Sequence, residues 1–277
     1  MKPYRIIASD LDGTLLNNKS EVSPENLEAI AQLTKMGVHF VPCSGRTLAE
    51  IPPVIRNNPS IRYFIYANGA VVWDRIENKH IFNCISNSTG REILDLLTNY
   101  EAHLTIRHNG QCIVDAAFQN DAAFDYYNVI EAHQDCVLNY AVLLDDFLSY
   151  AYEADNVEVF SVFFRNYEDK LTCKEQLEKN KDLRVVEASE YNLEIVSSTA
   201  GKGNALYSLA DLLGIDRATT MSLGDSDNDS SITQAAGLGL AVANACNELK
   251  AVADEIICSN EEHAVAYVLA HYFDRQE

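Results

Sequence analysis

The chain has 277 residues, 47% of them hydrophobic, and a formal charge of −20. That is enough chain for one large folded domain or two smaller ones, and too acidic for a nucleic-acid partner, whose phosphates need a basic surface. No run approaches the roughly 18 apolar residues of a membrane helix. The opening is interrupted by Arg5 and Asp10, unlike a signal peptide, and seven scattered cysteines without a Cys-x-x-Cys spacing give neither a disulfide framework nor a zinc site, so a reducing cytoplasm is expected.

In chain order, residues 4–9 form an apolar run that reads as a strand. Ser23-Pro24 is an N-cap followed by proline at the first helical position; Leu27, Ile30 and Ala31 give one apolar face, and Gly37 marks the stop. Residues 38–42 read as a strand, 48–56 as a helix and 63–66 as a third strand. The alternation predicts parallel pairing, with ligands bound beyond the C-terminal strand ends, where Asp10, Ser44 and Asn68 fall. A different texture follows, with strands at 104–108, 112–115, 157–164 and 183–187 and helices at 91–100, 122–130 and 170–180. The opening rhythm then returns: helix 204–213, strand 219–223, short helix 231–236, strand 238–242, helix 248–253, strand 255–258 and a final helix through Phe273. The expected fold is α/β, a doubly wound, mostly parallel, Rossmann-like sheet made by 1–84 and 190–277, with 85–189 inserted as a second α/β domain.

Four clusters stand at the ends of these elements. Asp10-Leu11-Asp12-Gly13-Thr14 places two like charges after a buried-looking strand, which is costly unless a cation lies between them. Hard carboxylate oxygens suit magnesium, which takes one or two carboxylates and keeps places for waters and phosphate. The alternative, an exposed Asp-Gly turn, remains open on these residues alone. Gly224-Asp225-Ser226-Asp227-Asn228-Asp229 also follows an apolar strand. Its alternating aspartates imitate the start of an EF-hand, but Ser230 and Ala236 stand where that loop needs glycine and glutamate. Ser44-Gly45-Arg46-Thr47, between strand and helix, offers a hydroxyl and free N–H groups to a phosphate oxygen, or is simply a cap and turn. Gly201-Lys202-Gly203 opens a helix; Val196 and Gly203 rule out a Walker A loop.

Taken together and in this order, the four clusters resemble the haloacid dehalogenase superfamily of phosphohydrolases, and more narrowly its Cof-type branch with a large α/β cap. Asn68-Gly69-Ala70 also matches a segment common in that branch. Only 29 residues separate Thr14 from Ser44, too few for the helical cap of mutase-like relatives, whereas 157 separate Ser44 from Lys202 and accommodate the inserted domain. Ser44 replaces a frequent threonine, an exchange of hydroxyls.

The resemblance implies a phosphatase acting on small phosphorylated metabolites through an aspartyl-phosphate. Asp10 would be the nucleophile and Asp12 the general acid and base. Mg2+ would be held by Asp10, the Asp12 carbonyl and Asp225, with Asp229 and Thr14 orienting these ligands. Leu11, Ser44, Gly45, Lys202 and Asn228 would bind the phosphoryl oxygens, and Arg46 could reach the substrate. Metal and lysine together would give an acidic protein the local attraction its anionic substrate needs. A phosphotransferase or mutase with the same nucleophile, and a catalytically silent sensor of phosphorylated metabolites, are the competing readings. Substrate identity and oligomeric state are not fixed by the sequence.

Overall fold

The computed structural model describes residues 4–273, which divide into two compact units. The first comprises the chain up to Gly45, Pro52–Ile81, and the chain from Gly201 on. The second comprises Phe82–Ala200 together with the short segment Arg46–Ile51. No helix among the described residues is long and apolar enough to cross a membrane, and all seven cysteines are free thiols.

A five-stranded parallel sheet organises the first unit. Its spatial order is Glu255–Ile256, Leu238–Ala241, Thr220–Gly224, Ile6–Ser9 and His39–Pro42. Ile6–Ser9 and Thr220–Gly224 are wholly buried, as unbroken apolar runs in parallel sheets generally are. They pair Ile6 with Thr220 through Ser9 with Leu223, so both end at the same level. The chain runs outward from Ile6–Ser9 to one side and returns on the other, which makes the gap between these two strands a topological switch point. Asp10 and Asp225 are the first residues past their ends.

Local signals explain the flanking helices. Ser23 Oγ accepts the Asn26 N–H at 3.2 Å, so helix Pro24–Lys35 starts where the cap and proline predict. The helix expected over 48–56 is reduced to Pro53–Arg56. Two consecutive prolines explain the loss: Pro53 forces the preceding Pro52 into an extended conformation (ψ 136°), which no helix can run through. The third strand, Tyr63–Tyr66, meets the main sheet in parallel through a bridge between Cys43 and Ile65, but its regular partner is antiparallel Val71–Asp74. That hairpin, extended by Lys79–Phe82, was not anticipated.

In the second unit a six-stranded sheet runs Leu183–Ser189, Asn192–Ser197, Val159–Phe164, Ala102–His108, Gln111–Asp115 and Val142–Leu144. All neighbours are antiparallel except the last pair. Helices Asn87–Leu97, Phe147–Glu153 and Tyr167–Leu177 pack with the sheet around Ile93, Phe147, Phe160 and Leu193. A smaller cluster joins Phe124, Val137 and Phe163. Beside it lies His103, fully buried, with neither ring nitrogen hydrogen-bonded and the rings of Phe118, Phe124, Tyr127 and Phe163 around it.

Burial pushes the His103 pKa down to about 4 and that of neighbouring His133 to about 3. Both rings therefore stay neutral in the fold while the unfolded chain takes up protons below about pH 6.5. Each then costs stability as pH falls from about 6.5 towards 4, by about 1.4 kcal/mol per pH unit. His103→Phe should remove one of these two contributions. The stability difference between variant and parent, followed by chemical denaturation, should grow in the variant's favour on acidification; a difference independent of pH would contradict the neutral buried ring.

Candidate active site

Both aspartate clusters sit at the switch point because the strands before them are in register. The Asp10 N–H donates to the Leu223 carbonyl at 2.9 Å, which carries the sheet ladder up to the first carboxylate. The chain then turns sharply: Gly13 has φ +72°, and the Leu16 N–H closes the loop on the Leu11 carbonyl at 2.8 Å. A Cβ on residue 13 would stand 2.3 Å from Asp225 Oδ2, so glycine is required here for conformation and for close approach alike. Asp10 and Thr14 are buried, whereas Asp12 is exposed.

Lys202 reaches the same point from a third segment. The 67–69 turn takes three successive left-handed residues, Ala67, Asn68 and Gly69. Gly69 lies so close to Gly201 that an added Cβ would stand 2.3 Å from the Gly201 carbonyl. Likewise, a Cβ on Gly203 would meet the Ser231 carbonyl at 2.5 Å. Gly69 and Gly203 thus let helix Lys202–Leu213 start inside the core. The ammonium is 1% exposed and bridges Asp10 Oδ1 and Asp229 Oδ1, each at 2.6 Å. Asp229, wholly buried, turns its other oxygen to the N–H groups of Asp225 (3.0 Å) and Ser226 (3.3 Å).

Electrostatically the cluster is unfinished. Carboxylate oxygens of Asp10, Asp225 and Asp229 lie within 4.8 Å of one another, with one lysine among them. Burial, only partly offset by Lys202, raises the Asp10 pKa to about 7, with Asp229 and Asp225 adding to the rise. Asp225 is raised by burial and by Asp229. Lys202 loses to burial but gains more from its two carboxylates, and is held firmly protonated. Asp225 Oδ1 is buried without a hydrogen-bond partner, as is Thr14 Oγ1. An orphaned buried carboxylate oxygen beside a surplus of negative charge is what a divalent cation with oxygen ligands would satisfy. The Cys43 thiol, fully buried and pushed up by burial, is no competing nucleophile.

The remaining expected residues spread around this centre. Ser44 is buried; its N–H donates to the Ile65 carbonyl and its carbonyl accepts from Asn68 N–H, both at 3.0 Å. Asn228 is exposed; its Nδ2 donates to Asn68 Oδ1 at 3.5 Å, and Ser226 Oγ donates to its Oδ1. Gly45 faces the Asn68 carboxamide too closely for a Cβ to fit without displacement. Asn68, which the strand order places beside Asp10 and Ser44, therefore joins Gly45 to Asn228. Its signal was the Asn-Gly pair, which favours a left-handed turn. Arg46 belongs to the second unit, where its guanidinium donates to the Glu50 carbonyl at 2.9 Å.

Comparison with known proteins gives this centre relatives. The sequence model described as haloacid dehalogenase-like hydrolase matches residues 7–269. A Bacillus subtilis protein named phosphatase YwpJ is 30% identical over 96% of this chain and 99% of its own length. Another from that organism, named 5-amino-6-(5-phospho-D-ribitylamino)uracil phosphatase YwtE, is 27% identical over 96% of both. A solved structure of a haloacid dehalogenase-like hydrolase from B. subtilis is 29% identical, with TM-score 0.75 over 98% of this chain and all of that one.

Replacing Lys202 with methionine would leave two buried carboxylates facing each other without a counter-charge. The expected loss is roughly 3–5 kcal/mol of folding stability at neutral pH. Urea denaturation measures it; a variant as stable as the parent would show that the lysine is not what balances Asp10 and Asp229.

Proposed function

We propose that this chain, which belongs to the haloacid dehalogenase-like hydrolase family and is a phosphoric monoester hydrolase, cleaves small phosphomonoesters with magnesium through an aspartyl-phosphate on Asp10. The observation that carries the reading is the buried Asp10–Lys202–Asp229 bridge beside the unpartnered Asp225 oxygen. It supplies a fixed carboxylate, a fixed cation and a place for a second, divalent one.

In the first step an Asp10 carboxylate oxygen forms a bond to phosphorus as the ester P–O bond breaks, and the departing alkoxide takes a proton from Asp12. In the second, Asp12 accepts a proton from water, the water oxygen bonds to phosphorus, and Asp10 leaves as carboxylate with release of inorganic phosphate. One buried and one exposed aspartate suit these parts: Asp10 is immobilised for attack, while Asp12 stays in reach of solvent protons. Negative charge spread over the equatorial oxygens is taken up by Lys202, Ser44, Asn228 and the N–H groups of Leu11 and Gly45. Asp10, Asp225 and the Asp12 carbonyl would hold magnesium, which when bound offsets the surplus carboxylate charge and draws electron density from the phosphoryl group. Asp229 orients Lys202 and the 225–226 backbone, and Thr14, whose buried Oγ1 has no protein partner, is the second candidate to orient the metal's ligands.

The domain assignment belongs to the same proposal: the expected core of 1–84 with 190–277 is drawn in to end at Ile81 and resume at Gly201, because strand Asn192–Ser197 lies in the second unit's sheet, and that second unit is the cap that selects the leaving group. Substrates are sugar phosphates or phosphorylated cofactors, a class to which the phosphate on the ribityl arm in YwtE's name belongs. Arg46, held by Glu50, contributes to specificity rather than to chemistry.

The test is release of inorganic phosphate from a panel of phosphorylated metabolites, with magnesium and with chelator. Turnover should require the metal. Asp10→Asn should lose about 10^3-fold or more while keeping the parent's thermal transition. Near-parental activity of Asp10→Asn would refute the nucleophile; turnover in chelator would refute the metal; transfer to an added sugar in place of water would make the protein a phosphotransferase.

A further inference from the structure

The loop that carries the two aspartates is tied down from outside by three asparagines that no motif announces. Asn244 Nδ2 donates to the Gly13 carbonyl at 2.7 Å. Its Oδ1 accepts the Asn260 backbone N–H at 2.9 Å, which fixes which way the carboxamide faces, because an N–H can only meet the oxygen. Asn260, 5% exposed, sends its own Nδ2 to the Leu16 carbonyl at 3.0 Å and to Asn18 Oδ1 at 3.3 Å. Asn26, 1% exposed, accepts the N–H groups of Val265 and Ala266 and turns its Nδ2 to the Leu15 carbonyl, the longest contact at 3.5 Å. Three carbonyls within residues 13–16 are thus held by side chains from three separate parts of the chain.

The two aspartates do not need this support equally. Asp10 is buried, follows the strand directly and is gripped by Lys202. Asp12 is exposed and sits one residue before the glycine turn. Its placement depends on how the Asp12–Gly13–Thr14 backbone is rotated, and the Gly13 carbonyl is the atom that Asn244 holds. Glycine at φ +72° has a wide choice of alternative conformations, so an unrestrained Gly13 would let Asp12 swing while Asp10 stayed in place.

We propose that Asn244, seated by Asn260, is a positioning residue for the proton-transfer half of the reaction, setting the pose of Asp12 through the Gly13 carbonyl. The assignment rests on the functional reading above, in which Asp12 protonates the leaving group. It predicts a selective defect. A leaving group as stable as p-nitrophenolate departs without an acid, whereas an alkoxide does not. Misplacing Asp12 should therefore slow alkyl phosphates far more than aryl phosphates.

The experiment compares kcat on p-nitrophenyl phosphate with kcat on the best alkyl phosphate of the panel, for the parent, Asp12→Asn, Asn244→Ala and Asn244→Asp. The aspartate variant keeps the acceptor for Asn260 and replaces the donor to Gly13 with an anionic oxygen that repels its carbonyl. Both Asn244 variants should lose about 30-fold or more on the alkyl ester, part of the roughly 100- to 10,000-fold that general acid catalysis contributes. They should stay within about threefold of the parent on the aryl ester, with KM little changed. Asp12→Asn should show the same pattern, more strongly. If Asp12→Asn is selective but the Asn244 variants fall equally on both esters, or on neither, the positioning role is wrong and the functional reading stands. If Asp12→Asn itself shows no selectivity, the acid assignment fails and this inference falls with it.

Discussion

A lysine ammonium buried between two carboxylates is the constraint around which the first unit is arranged. Asp10, Lys202 and Asp229 come from three stretches that have no reason to meet except that their charges cannot be buried singly. Satisfying them demands that two strands end in register, that a helix begin inside the core, that backbones approach closely enough to exclude a Cβ at 69 and 203, and that the Asp225 carboxylate lie against Gly13. The glycines of the motifs are thus consequences of the charge cluster as much as the acids are.

The same cluster explains how an acidic chain can act on an anionic substrate. Three carboxylates against one lysine leave a negative surplus, and burial, with Asp229 and Asp225 adding to it, raises the Asp10 pKa. In the proposed mechanism a proton would relieve that surplus but disable Asp10 as nucleophile, whereas a divalent cation would relieve it and leave the carboxylate charged, so that cation binding and nucleophile activation would be one event. Long-range repulsion by the formal charge of −20 would be offset locally, where Lys202 and a bound divalent cation together balance the three carboxylates at the switch point.

Much of this was legible because short-range signals carry it. Apolar runs followed at once by Asp10 and by Asp225 gave both strands and both clusters, and Ser23-Pro24 gave a helix start at the correct residue. Where two local signals conflicted, the weaker was read: the apolar spacing over 48–56 suggested a helix that Pro52-Pro53 forbids. The hairpin after Tyr66 was missed because its strands are four residues each, too short for alternation to register. Asn244 and Asn260 were invisible for another reason. Each makes its decisive contact more than 230 positions away, with a backbone carbonyl, and a carbonyl leaves no trace in a sequence.

The central claim is that the acidic residues of two distant segments share one divalent ion. Calorimetric titration of magnesium into the parent and into Asp225→Ala, each with a phosphate analogue present, tests it most directly. The account predicts one ion per chain in the parent and binding at least about tenfold weaker in the variant. Equal affinity in the two proteins would contradict it.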